Sequence, residues 1–142
     1  MKYGAFILVL VLNLSCSTNE ESKSLPAGLP QIWKLSSLDV GLSGEVVSDD
    51  EIPYLETIEL QMDSTFVKIR LRNDETESAT GTFRYQERNG DNYIILYNSE
   101  TNDLIGNCTR SLEEWFRLDS ETTMFGGGLP CDRPGLGYER IE

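Results

Sequence analysis

Residues 57–72 read TIELQMDSTFVKIRLR, and apolar side chains alternate with polar ones through both halves of this stretch. Each half has its apolar side chains on one face: Ile58, Leu60 and Met62 in the first, and Val67, Ile69 and Leu71 in the second. A period of two is typical of a half-buried β-strand. If Asp63-Ser64 is a two-residue turn, antiparallel pairing places both apolar sets on one side, with Lys68 facing solvent. This register sets two apolar pairs opposite each other: Leu60 with Val67, and Ile58 with Ile69.

A second hairpin is predicted around the dipeptide Asn89-Gly90, which separates β patterns at residues 81–87 and 92–98. Asn-Gly favours the tight turns that join antiparallel strands. The register sets two further pairs opposite each other: Tyr85 with Ile94, and Phe83 with Leu96. Residues 93–97 are apolar on both faces, so we expect their outer side to be covered by the tether described below, a connecting loop or a partner.

The rest of the chain continues in short β patterns separated by turn residues, without a helical stripe longer than two turns. The further strands are predicted at residues 31–38, 104–109, 112–118, 122–125 and 137–141. Residues 41–54 are predicted to form a long solvated connection and residues 126–130 a loop. The fold class is therefore all-β: an antiparallel up-and-down meander closed into a barrel of about eight strands, because closure removes exposed sheet edges.

The N-terminus has the layout of a bacterial secretory signal. Met1 and Lys2 give a positive start, and an almost unbroken apolar run follows at residues 3–12. This run is too short to span a bilayer, which needs roughly 20 apolar residues. Residues 12–16, Leu-Asn-Leu-Ser-Cys, resemble the lipobox of bacterial lipoproteins.

The lipobox resemblance implies that Cys16 becomes the first mature residue and carries diacylglycerol and a third acyl chain such as palmitate. The acidic residues 17–21 resemble the signal that sends lipoproteins of Bacteroidetes to the cell surface. The protein is thus expected in the cell envelope, lipid-anchored to the outer membrane at its periplasmic face or at the cell surface. The alternative is an ordinary signal peptide, with Cys16 removed or paired.

These features divide the 142-residue chain into a signal peptide (1–15), a lipidated cysteine with a flexible tether (16–30) and one β-barrel domain (31–142). The formal net charge of −12 would repel nucleic acid and anionic lipid headgroups. We therefore expect no nucleic-acid partner, and membrane contact through the acyl chains alone.

The chain has three cysteines and no histidine. With Cys16 acylated, Cys108 and Cys131 remain as a pair in a compartment where disulfides persist. A bridge between them would close a loop of about 24 residues. The alternative is a metal site, but the chain offers no histidine ligand, so the sequence favours the disulfide and predicts no metal or cofactor.

Signals for catalysis are weak, and we expect the protein not to be an enzyme. A histidine base is absent, and so is a Gly-x-Ser-x-Gly elbow. Glu113 and Glu114 would point to opposite faces of a strand, and residues 49–51 lie in a predicted loop, so both acidic groups are expected to be solvated. Residues 126–128 lack the Lys and Ser or Thr of a phosphate-binding loop.

Several motifs, taken in order, resemble the lipocalin-like lipoproteins of Bacteroidetes over about residues 31–142. They are Trp33-Lys34-Leu35, Asp63-Ser64-Thr65-Phe66, Gly81-Thr82-Phe83, the 112–118 segment LEEWFRL, and Cys131-Asp132 ahead of Tyr138-Glu139-Arg140-Ile141. The resemblance implies an up-and-down antiparallel barrel of about eight strands, and it brings no catalytic residues with it.

Aromatic residues are candidates for lining a ligand cavity inside this barrel: Trp33, Phe83, Tyr85, Tyr97, Trp115 and Phe116. Eight-stranded barrels are either filled by side chains or hollow enough for one small ligand, so the same residues suit a packed core. The leading hypothesis is a non-catalytic binding protein for a small apolar ligand. The alternative is a protein-interaction or inhibitor module in the envelope, with a packed barrel and binding loops at residues 41–54 or 126–134.

Overall fold

The computed structural model describes residues 28–40, 44–106, 111–127 and 133–142. Within these ranges the regular structure is nine β-strands and one short 3₁₀ helix at Asp49–Glu51. The strands are β1 Gln31–Asp39, β2 Val46–Ser48, β3 Leu55–Leu60, β4 Thr65–Arg72, β5 Glu75–Arg88, β6 Asp91–Asn98, β7 Glu113–Leu118, β8 Thr123–Gly127 and β9 Gly135–Arg140. In this part of the chain no helix is long and apolar enough to span a membrane.

The strands form one antiparallel sheet that closes on itself. The order runs β1-β3-β4-β5-β6-β7-β8-β9, and β1 also pairs with β9, which makes an eight-stranded barrel. The extra strand β2 pairs with residues 37–39 of β1, beyond the part of β1 that β3 occupies. The predicted all-β, up-and-down antiparallel barrel is confirmed. We call its two ends the Gln31 end and the Asp39 end, after the first and last residues of β1.

Three predicted strand and loop assignments were wrong. The connection predicted at residues 41–54 contains β2 and the 3₁₀ helix, and residues 126–127 of the loop predicted at 126–130 belong to β8. No strand forms at residues 104–106, which make a turn stabilised by the Asn102 side chain: its Oδ1 accepts the Leu104 N–H at 3.0 Å. An asparagine side chain two residues upstream gives the backbone N–H a local hydrogen-bond acceptor in place of a neighbouring strand.

The β5–β6 hairpin has the predicted register, with Tyr85 opposite Ile94 and Phe83 opposite Leu96. Its turn residues Asn89 and Gly90 both have positive φ, 55° and 84°. This is the conformation that asparagine and glycine tolerate best, and its twist matches that of the strands.

The β3–β4 hairpin is shifted by one residue from the predicted register. Leu60 pairs with Phe66 and Ile58 with Lys68. The loop has three residues instead of two and ends at Ser64, which has a φ of 66°. One residue of slip reverses the faces of β4, because side chains alternate along a strand. Three side chains therefore point into the barrel and three point out: Phe66, Lys68 and Arg70 inward, and Val67, Ile69 and Leu71 outward.

Apolar side chains from all eight barrel strands fill the interior. The buried cluster comprises Trp33, Leu35, Leu38, Ile58, Leu60, Phe66, Phe83, Ile94, Leu96, Phe116, Met124, Leu136 and Tyr138. Close packing requires a glycine in β8: a Cβ on Gly126 would come within 2.4 Å of the Phe116 ring. Burial of these side chains supplies the main stabilisation of the barrel.

Candidate functional site

Four of the six predicted cavity residues point into the barrel. Trp33, Phe83 and Phe116 are buried in the apolar cluster. Tyr85 is half-buried at the Gln31 end, where its hydroxyl donates to Gln31 Oε1 at 3.3 Å. Burial raises the pKa of the Tyr85 hydroxyl, while the hydrogen bond to Gln31 acts in the opposite direction. Gln31 Oε1 also accepts the Trp33 indole N–H at 3.1 Å, so these inner polar groups bind one another.

The other two, Tyr97 and Trp115, lie on the outer face, so their assignment to a cavity was wrong. Leu96 and Phe116 point inward. Their immediate neighbours must then point outward, because side chains alternate along a strand. Each is one of two adjacent large apolar residues, of which only one can face the interior. Leu96 takes that place instead of Tyr97, and of the two predicted residues Trp115 and Phe116 only Phe116 points inward.

Tyr93 and Trp115 form an edge-to-face pair on this outer face, with ring centroids 5.7 Å apart. The Arg84 guanidinium lies over the Tyr97 ring at 5.2 Å. Ile95 points outward between Arg84 and Trp115, yet it is fully buried. We call this set the outer aromatic face. Ile95 is flanked there by side chains of β5 and β7, and cover by the tether, a connecting loop or a partner stays a prediction.

A cluster of four charged side chains occupies the interior near the Asp39 end. We call Glu56, Lys68, Arg70 and Glu114 the ion cluster. Lys68 is fully buried, and its Nζ lies 2.9 Å from Glu114 Oε2 and 3.5 Å from Glu56 Oε1. Arg70 donates to Glu56 Oε2 at 2.5 Å. Two carboxylates and two cations thus balance one another inside the barrel.

Further polar groups surround the ion cluster. The Tyr138 hydroxyl donates to Glu56 Oε1. Complete burial, followed by the nearby charge of Glu56, raises the pKa of this hydroxyl well above its usual 10.0. The Asn98 amide donates to Glu114 Oε1 at 3.3 Å, while Asn98 Oδ1 has no hydrogen-bond partner in the described ranges.

The ion cluster also holds the connection between β6 and β7 across the Asp39 end. Lys68 donates to the Leu104 carbonyl at 2.8 Å, and the Gly106 N–H donates to Glu114 Oε2 at 2.9 Å. Leu104 and Ile105 are buried. This end of the barrel is therefore closed by residues 104–106.

Of the ion cluster, Lys68 and Glu114 were predicted from the sequence to lie in solvent. Glu113 and Glu114 do face opposite sides of β7, as argued, but Glu114 is buried and not solvated. One signal was available: Glu56 shares its strand face with Ile58 and Leu60, and a carboxylate among apolar residues needs a buried cation. The cation bound to Glu56 is Arg70, directly opposite it on β4, and the one-residue error in the predicted β3–β4 register hid this pair. Glu114 could not be identified from local sequence, because it lies 46 residues from Lys68.

A groove of about 560 Å³ opens on the outside of β4, β5 and β6. Five of its nine lining residues carry a hydroxyl group, namely Thr65, Thr80, Thr82, Tyr97 and Ser99, and the other four are Phe66, Val67, Gly81 and Asn98. None of its lining residues is charged. We call it the hydroxyl groove; the sequence analysis did not predict it.

Two predicted sites fall outside the described residues: the lipidation site Cys16 and the disulfide of Cys108 with Cys131. In the described ranges, no group of three or more Cys, Asp or Glu residues is arranged to hold a metal ion. No family model matches the chain, and no curated protein or solved structure matches it.

Proposed function

We propose that this chain is a lipid-anchored, non-catalytic binding protein of the bacterial cell envelope, and that its packed barrel is a scaffold for binding surfaces on the outside. The N-terminal signal layout and the resemblance of residues 12–16 to a lipobox support the anchor and the outer-membrane location. The resemblance to lipocalin-like lipoproteins supports a binding role. The proposal shares the packed barrel of the protein-interaction or inhibitor alternative from the sequence but does not restrict the partner to a protein, and it is favoured over a carrier of small apolar ligands.

One observation supports this choice: the interior is occupied by the protein's own side chains. The inward aromatic residues pack against one another in the apolar cluster. Where a ligand headgroup would need free cations, Lys68 and Arg70 are already paired with Glu114 and Glu56. Displacing them would leave buried charges unpaired, which is costly.

The test uses the full chain, processed at its N-terminus and purified in detergent. N-phenyl-1-naphthylamine and oleate serve as apolar probes, and the Trp115→Phe variant leaves the buried Trp33 as the sole tryptophan reporter. We expect neither probe to bind stoichiometrically or to change Trp33 emission. Saturable one-to-one binding that changes Trp33 emission and is weakened by Phe83→Ala would overturn the packed-barrel proposal in favour of a carrier.

The anchor is tested separately with Cys16→Ala. This variant should leave the membrane fraction, because acyl chains supply about 0.8 kcal/mol of membrane affinity per buried methylene. Ser17→Ala, beside the cysteine, is the matched control and should remain in the membrane fraction. Equal membrane recovery of Cys16→Ala and wild type would contradict lipid anchoring.

A further inference from the structure

We propose that the hydroxyl groove binds an uncharged oligosaccharide. This deepens the proposed function, since it assigns a ligand class to one outside surface of the scaffold. The groove's volume of about 560 Å³ falls within the range of small-molecule sites. Its position on the wall of the barrel makes it independent of the packed interior.

The lining favours a neutral ligand with many hydroxyl groups. Thr65, Thr82 and Tyr97 form one row across three strands, because Thr82 lies opposite both other residues in the register. Hydroxyl groups both donate and accept hydrogen bonds, as sugar hydroxyls do. The Tyr97 ring adds an apolar surface; the Arg84 guanidinium lies over one of its faces, so the C–H face of a sugar ring would pack against the other.

Charge disfavours the acidic alternatives. No lining side chain is charged, so the groove itself offers a carboxylate, sulfate or phosphate no ion pair; the Arg84 guanidinium lies beside it, over the Tyr97 ring. The chain as a whole carries −12, which repels acidic polymers approaching from solution. The groove therefore suits a neutral saccharide better than an acidic one.

The groove is held in shape before any ligand arrives. Gly81 lines it, and a Cβ there would come within 1.9 Å of Tyr97 O and 2.8 Å of the Phe66 ring. On the adjoining surface the Arg84 guanidinium lies 5.2 Å from the centroid of the Tyr97 ring. The Ser99 N–H donates to the Thr80 carbonyl at 2.9 Å, which fixes one end. A preorganised site loses less entropy on binding.

The experiment is a calorimetric titration of the full chain in detergent with four neutral probes: cellohexaose, maltohexaose, laminarihexaose and mannohexaose. Polygalacturonate is the acidic comparison. We expect saturable binding of at least one neutral probe and none of polygalacturonate. The double variant Thr80→Val and Thr82→Val, which exchanges hydroxyls for methyl groups, should weaken binding about tenfold.

Thr76→Val is the matched control. Thr76 is exposed and lies on the same face of β5 as Thr80 and Thr82, because side chains alternate along a strand, but it does not line the groove. Its affinity should equal that of wild type, and unfolding midpoints confirm that each variant is folded. The inference is overturned if no neutral probe saturates up to ~10 mM, if polygalacturonate alone binds, or if the double variant binds like Thr76→Val. These results would leave the packed-barrel proposal intact, because that proposal fails only when an apolar probe enters the interior.

Discussion

At the scale of single residues, Lys68 has the largest expected effect on stability. Its ammonium group is fully buried, and its acceptors are two carboxylates and the Leu104 carbonyl. In Lys68→Met the carboxylates of Glu56 and Glu114 lose this cation while remaining buried. We expect a loss of about 3–5 kcal/mol in the free energy of unfolding, measured in urea by tryptophan fluorescence.

The matched control is Arg72→Met, which removes a cation from the exposed end of the same strand. Its effect should stay within about 0.5 kcal/mol. The double variant Lys68→Met and Glu114→Gln should lose less than the sum of its two single variants, since it removes both members of the pair. Equal losses for Lys68→Met and Arg72→Met would contradict the importance of the buried pair.

The buried Tyr138 hydroxyl is expected to make the free energy of unfolding fall at alkaline pH. Burial raises the pKa of its hydroxyl well above the usual 10.0, so the folded state retains this proton at a pH where the unfolded chain releases it. The protonated Tyr138 hydroxyl contributes fully to the free energy of unfolding below about pH 10. This contribution is lost as the pH rises through the folded-state pKa. The free energy of unfolding should therefore fall above pH 10, and Tyr138→Phe should flatten that fall.

The measurement is urea unfolding at several pH values from 8 upward, on wild type, on Tyr138→Phe and on Tyr93→Phe. Tyr93 lies half-buried on the outer aromatic face and serves as the control. An equal fall in the free energy of unfolding above pH 10 in all three proteins would show that Tyr138 does not contribute to this fall.

At the scale of elements, substitutions in the two tight turns beside β5 are expected to change stability in opposite directions. In the β4–β5 turn, Asn73 and Asp74 have φ values of 50° and 65°, and in the β5–β6 turn Gly90 has a φ of 84°. Residues with a Cβ are strained in this left-handed region, although Asn and Asp tolerate it better than most. Asp74→Gly should therefore stabilise the protein by about 0.5 kcal/mol.

Gly90→Ala places a Cβ at the equivalent position and should destabilise by about 1 kcal/mol. Urea midpoints of the two variants measure both effects. Changes of the same sign in both would mean that backbone conformation does not control these turns.

The two hairpins also show what can be predicted from sequence. The β5–β6 register was predictable because Asn89-Gly90 favours one turn of known length. The β3–β4 register was not, because the loop is one residue longer: Asp63 Oδ1 accepts the Thr65 N–H at 3.1 Å and stabilises the longer turn. The hydrophobic pattern alone favoured burying Ile69 instead of Lys68. The structure buries Lys68 because β3 and β7 supply its counter-charges, and that information is not local.

At the scale of the whole molecule, closure of the barrel separates two ends with different roles. The chain enters at the Gln31 end, where Leu29 packs against the core and the Gln31 side-chain amide donates to the Gly28 carbonyl at 2.9 Å. Anchoring at Cys16 would therefore attach the barrel to the membrane through its Gln31 end. The hydroxyl groove could not be predicted, because its lining comes from three strands that are brought together only by the sheet register.

Covalent closure of the Asp39 end is the remaining prediction. Arg133, two residues after Cys131, donates to the Ile105 carbonyl at 2.8 Å, and Ile105 lies three residues before Cys108. These two residues, which flank the cysteines in the sequence, are thus in contact, and we predict that a disulfide joins the cysteines themselves. Removing the bridge with Cys108→Ser and Cys131→Ser should lower the free energy of unfolding by about 3 kcal/mol, because the unfolded chain regains the freedom of a loop of about 24 residues.

Mass mapping of periplasmically expressed protein without reductant should recover the two cysteines in one linked peptide pair. Reaction of both with iodoacetamide before reduction would show that they are free thiols and that the bridge does not form.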